Sequence, residues 1–79
     1  MRSVVLYTRT GCHLCDEARS TILSVRARAP FAYDEVDIDT DDELVRDYGI
    51  RIPVVTVDGE ERFQIAVDEH ELEGLVRIR

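Results

Sequence analysis

Lysine is missing from this sequence, so arginine carries every fixed cation. We attach no function to that bias. Long apolar runs are missing too. Nothing approaches the roughly 18 residues that a membrane helix requires. The apolar run nearest the N-terminus, Val4–Tyr7, is too short for a signal peptide. There is no internal repeat and no low-complexity tract. Cytoplasmic location is therefore the expectation, in a compartment that keeps thiols mostly reduced. Cysteine is scarce as well, with two in the whole sequence. A basic stripe is also lacking. Residues 1–33 carry five Arg against Asp16 and Glu17, whereas residues 34–79 carry five Arg against fifteen acids. The net charge of −7 argues against nucleic acid as a partner, because phosphate neutralisation needs clustered cations. The acidic half reads as a solvated face that keeps a small protein soluble.

What is present is one domain's worth of chain over residues 1–79, with 44% hydrophobic residues to build a core. Its two cysteines stand close together, in Arg9-Thr10-Gly11-Cys12-His13-Leu14-Cys15. Val4–Tyr7 leads in as a buried strand. Leu14, Ala18, Ile22, Val25 and Ala29 lead out at helical spacing, drawing one apolar stripe. Asp16 and Glu17 in the first turn, and Arg26 and Arg28 near the end, suit the helix macrodipole. Pro30 stops the helix.

Phe31–Asp39 is a second strand, with Val36 and Ile38 of one parity and Phe31 and Tyr33 of the other. That pattern demands contact on both faces or a bulge near Asp34. Thr40-Asp41-Asp42-Glu43 fits a capping box with Thr40 as cap. Leu44, Val45 and Tyr48 supply a short apolar face, and Gly49 suits a left-handed helix end. Val54–Val57 and Glu60–Gln64 flank Asp58-Gly59, a dipeptide suited to a type I′ hairpin. Asp68 with Glu71 is a second capping pattern, and Val67 with Leu72 is a hydrophobic staple. Leu72, Leu75 and Val76 form the buried face of a last helix, in which Gly74 costs about 1 kcal/mol relative to Ala. The order is β-α-β-α-β-β-α. Strands one and two are parallel and the last two form a hairpin. The expected architecture is α/β: a four-stranded mixed sheet flanked by three helices.

A Cys-x-x-Cys at a strand-to-helix junction reads as a redox dithiol. Cys12 falls where unpaired backbone amides favour a thiolate, the attacking species in exchange. Cys15, one turn further in, should be less exposed and resolve the mixed disulfide. Arg9 and protonated His13 are candidates to tune the thiolate. As a structural staple the pair would gain little, since closing a four-residue loop removes only roughly 2 kcal/mol of unfolded-state entropy. Zinc wants four ligands, and His13 adjoins Cys12 outside the usual ligand spacing. No metal site is therefore expected. A cluster shared between two subunits through Cys12 stays open as an alternative. Pro53 opens the third strand, where spacing alone favours an ordinary trans peptide.

Leu6 to Cys15, Ile52-Pro53-Val54 and the element order together resemble glutaredoxin-like proteins of the thioredoxin superfamily. The likeness is to the small bacterial group with Cys-His-Leu-Cys in place of Cys-Pro-Tyr-Cys. The resemblance implies a thioredoxin fold, Cys12 as nucleophile and Cys15 as resolving thiol, and a cis Pro53 beside the dithiol. It implies a thiol–disulfide oxidoreductase acting on protein disulfides or glutathione mixed disulfides. The alternative is a thioredoxin-fold binding module or iron–sulfur carrier. Arg9, Leu14, Ile52, Pro53 and Asp68 become candidate contacts for substrate or glutathione. Typical glutaredoxins have Gly-Gly before the last helix, where this chain has Gln64-Ile65-Ala66. Either glutathione or thioredoxin reductase is then the electron donor. No bound cofactor and a monomeric state complete the expectation.

Overall fold

The computed structural model describes residues 1–77; the last two positions of the domain expected over 1–79 lie outside the described residues. Strand β1 (Ser3–Thr8) is followed by α1 (His13–Arg28), β2 (Ala32–Asp37), a 3-10 turn (Ile38–Thr40) and α2 (Asp42–Tyr48). Strands β3 (Val54–Val57) and β4 (Glu60–Gln64) precede α3 (Glu69–Arg77). The sheet order is β2-β1-β3-β4. Strands β1 and β2 are parallel, whereas β1–β3 and β3–β4 are antiparallel. This is the expected mixed four-stranded sheet with three helices.

One sheet face holds the core. Val4 and Leu6 of β1, Val55 and Val57 of β3 and Phe63 of β4 pack with Ala18, Ile22 and Val25 of α1. Leu72 and Val76 of α3 and Phe31 complete the cluster. The period-two alternation of β1 sends Val5 and Tyr7 to the other face, where they are half-buried. There Tyr7 stacks on Tyr48 of α2, ring centroids 4.6 Å apart. Arg51 lies over the same Tyr48 ring at 5.2 Å. Helix α2 buries no residue fully, so this second layer is the thinner one.

Several local expectations change. Leu14 leaves the apolar stripe of α1, and fully buried Cys15 takes its place. Residues 15, 18, 22, 25 and 29 then run down one helix face at steps of three and four. Strand β2 ends at Asp37, and Ile38 is buried from the 3-10 turn instead. Its pairing with β1 is continuous, so contact on both faces is what the mixed parity meant. Asp41, not Thr40, caps α2, its carboxylate accepting from Glu43 N–H at 2.9 Å. The Thr40 hydroxyl turns back to donate to Asp37 O at 2.8 Å. Asp58 and Gly59 take φ of 53° and 84°, as the tight hairpin needs. Strand β4 carries a bulge at Arg62, between the Val55–Phe63 and Thr56–Glu61 pairs. Asp68 caps α3, accepting from Glu71 N–H at 2.8 Å, with Val67 and Leu72 both packed in the core cluster.

Gly49 is not left-handed: it continues the helix at φ −49°, ψ −39°. Its missing side chain has a different use. A Cβ there would stand 2.5 Å from Val45 O, whereas at Gly74 nothing lies within 4 Å. The same substitution should therefore act in opposite directions. Gly49→Ala should lower stability by about 1–3 kcal/mol through overpacking. Gly74→Ala should raise it by about 0.4–1 kcal/mol. Urea unfolding of the two variants checks both signs.

Candidate functional site

The loop after β1 brings Cys12 to the start of α1. Gly11, at φ 81°, makes the turn. Cys12 N–H then donates to Arg9 O at 3.4 Å. Cys12 has extended backbone geometry and is itself the N-cap of α1. Its Sγ accepts from Cys15 N–H at 3.1 Å, the position a capping side-chain oxygen normally fills. Cys12 and Cys15 are joined as a disulfide with Cα atoms 5.2 Å apart. Their environments differ: Cys12 is half-buried and Cys15 is fully buried. An incoming group can reach the first sulfur and not the second. An N-terminal amide aimed at that first sulfur stabilises negative charge on it.

The other predicted residues divide. Ile52-Pro53 is a cis peptide, so the trans expectation drawn from spacing is corrected and the resemblance held. Antiparallel pairing sets Tyr7 against Val54. Continued one step, it carries buried Pro53 to the sheet end from which the Cys12 loop departs. Ile65 N–H donates to Pro53 O at 2.8 Å and to Arg51 O at 3.3 Å. Ile65 and Leu14, 43% and 46% exposed, line one shallow groove with Ala66 and Val67. Leu14 and Ile65 thus give this groove an apolar stretch of rim, and fully buried Pro53 adds no surface to it.

Arg9 does not point a free charge at Cys12. Its guanidinium grips Asp39, Nη2 to Oδ1 and Nε to Oδ2 at 3.3 Å. That hydrogen bond, with the charge of Asp39, holds Arg9 more firmly protonated than a free guanidinium. His13 is 88% exposed, with Nε2 3.8 Å from Glu17 Oε2. Asp68 is engaged at the α3 cap.

Sequence reasoning missed Asp39 and Ile65. Asp39 is placed by the register Thr8↔Asp37, which continued brings Arg9 alongside residues 38 and 39 and which the sequence did not settle. Ile65 had no signal. It sits at φ 72° inside a γ-turn closed by Ala66 N–H to Gln64 O at 2.8 Å. A β-branched residue rarely enters that region.

The chain matches the family model of the Glutaredoxin-like domain (DUF836) over residues 3–77. It belongs to that family. An uncharacterised protein of Mycobacterium tuberculosis, Rv0508, is 32% identical over 74 residues, covering 87% of this chain and 76% of its own length. The solution structure of Ne2328 from Nitrosomonas europaea superposes with a TM-score of 0.82 at 27% identity, covering 95% of this chain and 91% of that one. The X-ray structure of XcR50 from X. campestris gives 0.78 at 31% identity, covering 94% and 95%. A mutant thioredoxin from Halobacterium salinarum shares the fold at 21% identity, with a TM-score of 0.69 over 96% of this chain and 72% of its own. A glutaredoxin-like member of the thioredoxin superfamily thus carries a Cys12–Cys15 pair at the start of its first helix.

In this glutaredoxin-like chain, a charge network fixes α1 against the sheet behind the cysteines. Arg19 donates to both carboxylate oxygens of Glu35 at 2.7 and 2.9 Å, and to Asp16 at 2.8 Å. Tyr33 OH also donates to Glu35 at 2.8 Å. These bonds, Arg19 first, lower the Glu35 pKa. A lowered carboxyl contributes stability above its unfolded value of about 4.3, lost as pH falls through the folded one. The pair is one-third exposed, which limits it to about 0.5–1 kcal/mol. Arg19→Gln should be less stable than wild type by that amount at neutral pH. The difference should shrink steadily below about pH 4.3. Urea midpoints across that range measure it.

Proposed function

We propose that this protein is a thiol–disulfide oxidoreductase that reduces protein disulfides or glutathione mixed disulfides. The observation that carries the reading is the unequal pair: Cys12 accessible at the helix cap, Cys15 buried one turn on. In the reduced protein the Cys12 thiolate attacks one sulfur of a substrate disulfide. The Cys12–substrate bond forms and the other substrate sulfur leaves as a thiolate that takes up a proton. Cys15 loses its proton and attacks Cys12 Sγ. The substrate's second thiolate leaves and the Cys12–Cys15 disulfide forms. Two electrons and two protons pass to the substrate. An external dithiol or two glutathione molecules reverse the change on the enzyme.

The amide of Cys15 supports the attacking role of Cys12, since a donor already directed at Sγ stabilises the anion without rearrangement. The exposed apolar side chains of Leu14 and Ile65 support a polypeptide substrate. Ile52 offers backbone groups beside it. His13, the next residue, adds to the anion-stabilising field when protonated. Glutathione or a thioredoxin reductase supplies electrons, and the protein works as a cytoplasmic monomer. No observation favours the iron–sulfur carrier over exchange. No described helix is long and apolar enough to cross a membrane.

Cys12→Ser should lose reduction of a model protein disulfide. Cys15→Ser should form the mixed disulfide and stall there, visible as an added substrate mass on non-reducing analysis. At neutral pH, iodoacetamide should alkylate reduced Cys12 well before Cys15. Equal activity of wild type and Cys12→Ser would remove the proposal.

A further inference from the structure

Arg9 is on the same loop as the reactive sulfur, and its carbonyl holds Cys12 N–H. A guanidinium is a planar fork of donors matched to a carboxylate. Free on this loop, it would attract the carboxylate of a small thiol approaching Cys12. It is not free: Asp39 already fills the fork through both oxygens. Nor is Asp39 a loosely placed side chain. Its backbone N–H donates to Asp37 Oδ1 at 2.9 Å. The 3-10 turn around it is pinned by buried Ile38 and by the Thr40 hydroxyl on Asp37 O.

Asp37 adds its charge to the same fork and, with Asp16, lines the depression beside Thr8–Gly11. Arg19, which also lines it, is committed to Glu35 and Asp16. A carboxylate-bearing thiol therefore meets cations that are already neutralised and acids that outnumber them. A thiol without a carboxylate meets no such obstacle.

We propose that Asp39 is a specificity determinant: an internal carboxylate that occupies Arg9 and so disfavours small anionic thiols such as glutathione at the Cys12–Cys15 disulfide. The inference rests on the exchange activity proposed above. Glutathione reduces the protein in two steps. One thiolate attacks Cys12 Sγ, forming Cys12–glutathione and releasing Cys15, which is protonated. A second thiolate attacks the glutathione sulfur, giving oxidised glutathione and the Cys12 thiolate. Both steps bring carboxylates to the loop that carries Arg9 and Cys12. A carboxylate-free protein dithiol is the favoured reductant.

The test compares oxidised wild type, Asp39→Asn, Arg9→Gln and the double variant. Reduction by glutathione and by uncharged 2-mercaptoethanol is followed by alkylation and mass. Asp39→Asn should speed reduction by glutathione about two- to fivefold, the scale of one exposed ion pair. It should leave the mercaptoethanol rate unaltered. The gain should vanish in the double variant, because it needs Arg9, and should shrink as salt is raised. Equal acceleration with both thiols, no acceleration with glutathione, or a gain that survives Arg9→Gln would overturn the assignment of Asp39. A wild-type disulfide that neither thiol reduces would instead overturn the exchange activity itself, and the assignment with it. Thermal melts of all four proteins verify that they are folded.

Discussion

A single backbone amide, that of Cys15, is directed at the sulfur of Cys12, and the rest of the molecule is arranged to keep it so. The amide is available because the first turn of a helix leaves its donors without internal partners. It is aimed because Cys12 serves as the cap, with its backbone extended and its side chain folded over the turn. It is immobile because α1 is anchored one turn later. Cys15, Ala18, Ile22 and Val25 are all buried against the sheet. Turning Cys15 outward would require rolling the whole stripe out of the core. The difference in access between the two sulfurs is thus a by-product of helix packing.

The two sheet faces share the work unequally. The face under α1 and α3 is continuous and apolar and supplies the rigidity. The face under α2 is thin, held by the Tyr7–Tyr48 stack, Arg51 over that ring and a short helix with no fully buried residue. Yet this thinner layer feeds the segment that delivers Ile52-Pro53 to the sheet end. Arg51 bridges the two regions. Its guanidinium bonds Asp47 O and Glu61, and its own carbonyl accepts from Ile65 N–H. The position of the rim residue opposite Leu14 therefore depends on a polar brace, whereas the proline beside it is also held by burial.

What the sequence disclosed follows the range of the interaction involved. Cys12 at a helix start, Asp68 as a cap and Asp58-Gly59 as a hairpin turn are decided within a few residues, and all three were readable. Gly49 and Thr40 were misread because two local solutions competed for each. Gly49 serves close approach to Val45 O rather than a left-handed end, and Thr40 bonds back to Asp37 while Asp41 takes the cap. Arg9 was singled out without the ion-pair partner it has, Asp39. Its partner is 30 residues away and is fixed by strand register, which the mixed apolar parity of Phe31–Ile38 did not settle. The cis Ile52-Pro53 peptide came from family resemblance alone, since spacing favoured trans.

Ile65 and Asp39 bear on the same question from two directions. A β-branched residue at φ 72° costs of order 1–3 kcal/mol, and it persists only where its surroundings over-determine it. Here they do: its N–H is shared between Pro53 O and Arg51 O, and the next amide closes the γ-turn on Gln64 O. Glycine would take this backbone without cost. It would also leave bare backbone where Ile65 now offers apolar surface across a groove from Leu14. Under the proposed function, that choice favours side chains of a polypeptide over a small ligand lying flat on the backbone. Asp39 removes the matching charge at Arg9. Neither feature touches the sulfur chemistry, which needs only the helix cap and the buried neighbour. In the proposed exchange the two would act on which molecule presents its sulfur, so selectivity in this fold could change while Cys12 and Cys15 stay as they are.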